Sequence, residues 1–335
     1  MPPTNGSRAK FSSHNPIPGA PAMTQMLATI HQASLGDAWL TIGTFDGVHL
    51  GHQEIISGLA AGAHVAGLQA VVITFHPHPL SIVRHRHSPH LLTLPEERAR
   101  YLGEAGADLV ITQPFDAQIA NTSAVDFLTL LKDHFNFSHL RVGYDFAFGH
   151  HREGNLERLR ELEGAFGYSL EVVPPVKVHG EIVSSRKIRA MLAEGKVEQA
   201  AGMLGRSYQL SGEVVRGDGR GRTLGIPTAN LHIPEEKLIP LGGVYACVAQ
   251  IGPASRPAAV NIGVRPTFDG SLLPLQVEAH LLDHQEDIYG QQVSLRFIAR
   301  LRGEKRFANV QELVAQIHYD VEQTRELIPT SLLST

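Results

Sequence analysis

One cysteine, Cys247, stands among 335 residues, which excludes an intrachain disulfide framework. No apolar run approaches the roughly 18 to 20 residues that a membrane helix needs, so no membrane partner is expected. Acidic residues are missing altogether from residues 1–36, which hold Ser, Pro and Gly with Arg8 and Lys10. That stretch lacks the continuous apolar segment of a secretory signal. Pro16, Pro18 and Pro21 would also break the amphipathic helix of an organelle transit peptide. We therefore expect a disordered leader over 1–36, with Met23 and Met26 as alternative starts, and a cytoplasmic protein. A basic excess is absent too, and a formal net charge of -4 argues against nucleic acid and for small-molecule partners. Self-association is left open. No GxxxxGK[ST] segment occurs anywhere, which removes a Walker-type phosphate loop.

What is present suffices for globular domains. At 43% apolar and 19% charged the chain can bury a full core, and its length favours two domains. From Trp39 onward, short apolar runs (AWLTIG, LQAVVITF, DLVITQ, HLRVGYDF, LEVVPPV) alternate with helical patterns such as LPEERARYLGEAGA and SAVDFLTLLKDHF. That spacing predicts an α/β domain with a parallel sheet covered by helices. Ligands of such sheets bind outside the carboxyl ends of the strands. After Gly195 the pattern changes. A short helix, KVEQAAGMLGR, leads to YQLSGEVV, GVYACVAQI, AAVNIGV, LQVEAHLLD and QQVSLRFIARL, with one further helix near 310–327. These partly alternating runs predict an antiparallel barrel or sandwich with a terminal helix. The expected division is a leader at 1–36, a first domain at 37–195, a connecting helix at 196–206 and a second domain at 207–335.

Two segments carry chemistry. Residues 40–56 read LTIGTFDGVHLGHQEII, a strand running through Gly43, Gly47 and Gly51 into a helix. Free amides and the positive end of a helix dipole make such a junction an anion site. His49 and His52, three residues apart, share one face of the first turn and can donate to one phosphate group. The plainer alternative is two partly exposed loop histidines. Farther on, VSSRKIRAML offers Ser184 or Ser185 as a helix cap, with Arg189 one turn inside. The histidines between His76 and His90 lack cysteine partners and a settled ligand spacing, and read as a solvated loop. In the second half, GEVVRGDGRGRTLGIPTANL follows a strand and is either a phosphate-contacting loop or a tight turn. It fails GxGxxG, because Arg222 occupies the last glycine position. Thr228 and Asn230 put two hard oxygens on one side of an extended chain, suited to Mg2+ that already carries nucleotide phosphates. Glu278, read alone, is a carboxylate on a strand.

Here the motifs match a family. GTFDGVHLGH resembles the HxGH signature of nucleotidyltransferases in the wording of their FAD synthetase branch, and VSSRKIRAML is similar to its ISSTxxR motif, with Arg186 where Thr is usual. TFHPHP and VGYDFAFGHHREGN resemble segments that line its FMN and ATP pockets. GRTLGIPTANL resembles the riboflavin kinase signature, and LQVEAHLLD, AAVNIGVRPTF and DIYG match that family's wording as well. The chain thus resembles bifunctional riboflavin kinase/FAD synthetase over about residues 37–328.

The resemblance implies an α/β plus β protein: a Rossmann-like nucleotidyltransferase domain, then a riboflavin kinase-like barrel with a terminal helix. It implies phosphorylation of riboflavin to FMN in the second domain and adenylylation of FMN to FAD in the first, with ATP as co-substrate and Mg2+ as cofactor. His49 and His52 would hold the ATP phosphates, with Gly43, Phe45, Asp46, Gly51, Ser184, Ser185 and Arg189 around them. The added guanidinium of Arg186 can itself meet a phosphate. His76, Asp145, Phe148 and Arg152 would bind the flavin nucleotide, Phe148 as a stacking surface. In the kinase, Gly217, Gly219, Gly221, Arg222, Thr228 and Asn261 would bind ATP, Thr228 and Asn230 the metal, and Glu278 would be the catalytic base.

Overall fold

Val71, Val72 and Ile73 are successive residues of one strand, pointing to opposite faces, yet all are fully buried. Only a strand covered on both sides allows that. Val71 and Ile73 join a core with Phe127, Leu128 and Leu131, whereas Val72 packs with Ile56, Ala99 and Leu102. The computed structural model behind these observations describes residues 24–83, 90–217, 225–263, 275–329 and 333.

The first domain is a six-stranded sheet of β1 (Gln25–Leu27), β2 (Ala38–Ile42), β3 (Gln69–His76), β4 (Leu109–Pro114), β5 (His139–Gly143) and β6 (Ser169–Val173). Its order is β1-β4-β3-β2-β5-β6, and every pairing is parallel. Helices α1 (Leu50–Val65) and α2 (Pro95–Glu104) bring Ile56, Ala99 and Leu102 to one face. Helices α3 (Ala124–Phe135) and α4 (Leu156–Phe166) bring Phe127, Leu128, Leu131 and Leu159 to the other. The chain leaves β2 towards β3 and β4, then crosses back to β5 and β6. The carboxyl ends of β2 and β5 therefore flank a topological switch point.

Helices α5 (Ser185–Ala193) and α6 (Val197–Leu204) lead into the second domain, α6 closing on the left-handed Gly205. There β7 (Gln209–Val215), β8 (Ala229–His232), β9 (Gly243–Ile251), β10 (Ala254–Gly263), β11 (Gln276–Leu281) and β12 (Gln292–Arg302) form a closed antiparallel barrel, in the order β7-β8-β11-β10-β9-β12. Tyr245, Cys247, Val260, Val277, Leu295 and Phe297 fill it. Burial pushes the Cys247 thiol well above its usual range, so it packs as a small apolar group. The terminal helix α7 (Val310–Leu327) lies outside the barrel, where Ile328 covers Ala246 and Val248. Among the described residues no helix is long and apolar enough to cross a membrane.

One expectation is corrected, and one alternative is decided in favour of the expected barrel. The disordered leader was drawn through residue 36, but Gln25–Leu27 pair in parallel with Leu109–Ile111, and Ile30 is fully buried. Residues 1–23 lie outside the described residues. Between barrel and sandwich the structure decides for a closed barrel, because β8, the strand carrying Asn230, pairs with both β7 and β11.

The two domains share a seam. Leu91 forms a parallel bridge with Lys237, its amide donating to Glu236 O at 2.6 Å and its carbonyl accepting from Leu238 at 2.9 Å. Lys237, 3% exposed, sends its ammonium across to Leu92 O at 2.8 Å and to the Glu97 carboxylate.

Candidate active sites

A cavity of about 320 Å3 opens at the switch point, lined by Gly43, Thr44 and Phe45 after β2, Gly143 to Phe148 after β5, and Val173 to Val176 after β6. The start of α1 forms its floor. His49 is the N-cap of that helix, its Nδ1 accepting from the His52 amide at 3.3 Å. The two imidazoles stack at 3.6 Å between centroids, with Phe45 edge-on to His52. Ser184 and Ser185, at the cap of α5, form the opposite wall. Ser185 donates to Asp46 O at 2.8 Å.

The turn before α1 is strained. Phe45, Gly47 and Val48 all have positive φ, at 45°, 86° and 38°. For a buried Phe and a β-branched Val this conformation is costly, and it persists where surrounding contacts impose it. The carbonyls of the turn account for those contacts. Thr44 O accepts from Arg98 at 3.0 Å and from Thr74 at 2.9 Å. Phe45 O accepts from the Val48 amide at 3.0 Å. Gly47 O and Val48 O accept from Arg206 at 2.7 and 3.0 Å. With its carbonyls bonded into the protein, the turn leaves the first amides of α1 as the groups suited to an arriving anion.

Burial governs the histidines. His49 is lowered to about 4, first by desolvation, an effect that Asp46 opposes and Arg206 reinforces. His52 is lowered well below its usual value by desolvation, then by His49, Arg98 and Arg206. Both rings are therefore neutral near pH 7, and each presents one N-H donor. The Nδ1 of His52 is buried without a hydrogen-bond partner.

Three expected residues stand outside this cavity. Asp46, 1% exposed, accepts from the Leu92 amide at 3.1 Å and the Thr93 amide at 3.0 Å and pairs with Arg189. A carboxylate so fully bonded is a clamp behind the turn. Arg189 is held between Asp46 and His90 O, the latter at 3.1 Å. His76 faces the seam instead, 3.8 Å from Glu236. Arg186 is exposed on α5 and does not line the cavity either. Gly43 and Gly51 lie beneath the rings of Phe45 and His49.

A second cavity of about 510 Å3 adjoins the first, and Phe148 and Arg152 line both. Phe75, Phe115 and Phe127 make it aromatic, with Phe148 lying 5.7 Å from Phe127. Phe148 sits against Gly154, where a Cβ would fall 2.5 Å from the ring, so only glycine admits this packing. Asp145 lines the first cavity and its carbonyl accepts from Arg152 at 3.4 Å.

In the barrel, strand register brings the expected residues into one row. Asn230 on β8 is opposite Glu278 on β11, which is opposite Asn261 on β10. Paired residues share a face of a sheet. Glu278 and Asn261 line a cavity of about 370 Å3 between the barrel and α7, with Thr228, Arg302 and Asp320. Asp320, 2% exposed, pins α7 there by accepting from Arg302 at 2.8 Å. Thr228 also lines a cavity of about 410 Å3 on its other side, with Tyr289 and His284. The turn holding Thr228 is fixed by His280, which donates to Pro227 O at 2.8 Å. Asn230 lines neither cavity. Its amide packs on Gly217, where a Cβ would come within 2.2 Å. Gly219, Gly221 and Arg222 lie outside the described residues.

Sequence reasoning missed Arg98, Thr93, Arg206 and Lys237. For Arg98 a signal existed, since it lies three and four residues before the apolar Tyr101 and Leu102 and shares their buried stripe. The others act across long sequence separations and leave no local pattern.

Each domain sets two cavities side by side with shared lining residues. Fold and sites together define a transferase with two phosphorus-centred reactions. Residues 31–187 match the FAD synthetase family and residues 204–328 the riboflavin kinase family. The bifunctional riboflavin kinase/FMN adenylyltransferase of Escherichia coli (strain K12) is 38% identical over 299 residues, covering 89% of this chain and 95% of the relative. The protein of the same description from Bacillus subtilis (strain 168) is 33% identical over 288 residues, covering 85% and 90%. A crystal structure described as a macrolide-efflux protein from Streptococcus pneumoniae superposes with a TM-score of 0.82 at 30% identity, covering 90% of this chain and 99% of that one. The chain belongs to the bifunctional riboflavin kinase/FMN adenylyltransferase family.

Proposed function

We propose that the protein makes both flavin nucleotides: the barrel domain phosphorylates riboflavin to FMN, and the sheet domain adenylylates FMN to FAD. ATP is the donor in both reactions. The observation that carries this reading is that each domain holds two adjoining cavities with a shared wall, Phe148 and Arg152 in one case and Thr228 in the other. A nucleotide on one side of each wall and a flavin on the other brings donor and acceptor together.

In the sheet domain, an oxygen of the FMN phosphate attacks the α-phosphorus of ATP, and the bond to pyrophosphate breaks. The reaction needs two polyanions aligned and transition-state charge stabilised. His49 and His52 supply N-H donors at the positive end of α1, and Ser184 and Ser185 supply hydroxyls opposite. The aromatic cavity takes the isoalloxazine ring, with Phe148 beside it and Arg152 towards the phosphate. Asp46, Arg189 and His76 support this site from outside the cavity, each through the contacts described above.

In the barrel domain, the ribityl hydroxyl attacks the γ-phosphorus, its proton passes to Glu278, and ADP leaves. The cavity under α7 takes riboflavin and the one beside Tyr289 takes the nucleotide. Thr228, which lines both cavities, is a hard oxygen donor that would hold Mg2+, and the ion would offset the charge of the phosphates; Asn230, expected beside it, packs on Gly217 outside both cavities. Asn261, expected to bind ATP, lines the cavity under α7 with Glu278 instead and so would orient the acceptor side. Gly217, Gly219, Gly221 and Arg222 remain the residues that the family resemblance assigns to ATP. The domains run from about residue 24 to 195 and from 207 to 335, joined through 196–206, and a cytoplasmic location suits reactions that consume ATP.

The test is chromatographic separation of flavins after incubating purified protein with riboflavin, ATP and Mg2+. FMN should appear first and FAD after it, and riboflavin that stays unchanged would refute the proposal.

A further inference from the structure

We propose that Arg206 is a positioning residue for adenylyl transfer: it belongs to the segment entering the barrel, yet its guanidinium fixes the turn that carries His49 and His52. The inference rests on the adenylyl-transfer reading of that cavity. Nη2 of Arg206 donates to Gly47 O at 2.7 Å, and Nη1 donates to Val48 O at 3.0 Å and Leu204 O at 3.3 Å. The guanidinium carbon lies over the Tyr101 ring, 3.7 Å from its centroid, a contact that helps hold the fork in place. Tyr101 is fixed in turn by donating to Gln209 of β7 at 3.1 Å. Gln53 reinforces the junction, its amide donating to Val48 O and Leu204 O, both at 2.8 Å.

Gly47 and Val48 hold two of the three left-handed conformations in the turn, and their carbonyls are the ones Arg206 takes. Without it Gly47 O loses its donor and Val48 O keeps only Gln53, so the turn is free to relax. Val48 immediately precedes the N-cap His49, so relaxation displaces the donor pair. A 1 Å misplacement of a catalytic group costs on the order of 100-fold in rate. Lysine keeps the charge but lacks the planar fork needed to reach both carbonyls. The charge has its own effect, because Arg206 lies among the groups that lower both histidines, alongside Arg98 and against Asp46.

The experiment compares wild type, R206K and R206Q for FAD formation from supplied FMN and for FMN formation from riboflavin. In R206Q, kcat for FAD should fall about 100-fold with little change in KM for ATP, and R206K should recover only part of it. Riboflavin phosphorylation should stay at the wild-type rate in both, which also reports that the variants fold. The histidine-dependent limb of the pH profile should move to higher pH in R206Q and stay in place in R206K, a shift that a merely structural arginine would not cause. Wild-type FAD rates in both variants, or an equal loss of the kinase activity, would overturn the role of Arg206. A wild-type protein that makes no FAD from FMN would instead overturn the reading of the cavity.

Discussion

The Asp46 carboxylate pairs with Arg189 while also taking the amide protons of Leu92 and Thr93, so it joins the phosphate turn, α5 and the domain seam at one point. The neighbouring residues of the motif face the other way. His49 and His52, three and six residues later, face the cavity. The motif thus divides between residues that anchor the turn and residues that line the cavity.

His49→Ala removes one preorganised donor. FAD formation from FMN should drop roughly 100- to 1000-fold, and riboflavin phosphorylation should be unaffected. Parallel assays of the two half-reactions check this, and near-normal FAD synthesis would remove His49 from the mechanism.

Glu278→Gln keeps the shape of the row Asn230, Glu278 and Asn261 but takes away the proton acceptor. Riboflavin phosphorylation should fall by about 100- to 10,000-fold, while supplied FMN is still adenylylated. Persistent FMN formation at the wild-type rate would exclude the base role.

Gly154→Ala places a methyl group 2.5 Å from the Phe148 ring and forces it to turn. An aromatic contact is worth about 1 kcal/mol, so KM for FMN should rise about fivefold with the kinase unchanged. Steady-state titration with FMN measures it, and an unaltered KM would mean Phe148 does not touch the flavin.

Stability should decline in mild acid. His49 stays neutral in the fold down to about 4, whereas the unfolded chain takes up its proton near the ordinary imidazole value of 6.5. Its contribution is complete above pH 6.5 and is lost as pH falls towards 4, amounting to roughly 3 kcal/mol. His52 acts in the same direction. Urea midpoints between pH 7 and 4 should fall more steeply for wild type than for His49→Asn, which keeps a capping acceptor without the titration. Identical slopes would show that His49 does not carry the dependence.

Much of the architecture was legible because periodicity reports burial. LQAVVITF could only be a strand covered on both faces, and SAVDFLTLLKDHF shows its stripe and its cap. Gln25–Leu27 escaped because a three-residue edge strand is defined by its partner β4, not by its own composition. Closure of the barrel hung on Ala229–His232, four residues whose motif drew attention to Thr228 and Asn230 as ligands rather than to their pairing. In the sites, motifs identified neighbourhoods but not directions. Asp46 and His49 lie in one short segment and face opposite ways, a distinction made by Thr93 and Arg189, which are remote in sequence.

Thr228 is the wall between the two barrel cavities, one side chain thick. In the proposed arrangement a change of side chain at this one position is felt on both sides at once, so the two binding constants of the kinase cannot be varied independently there.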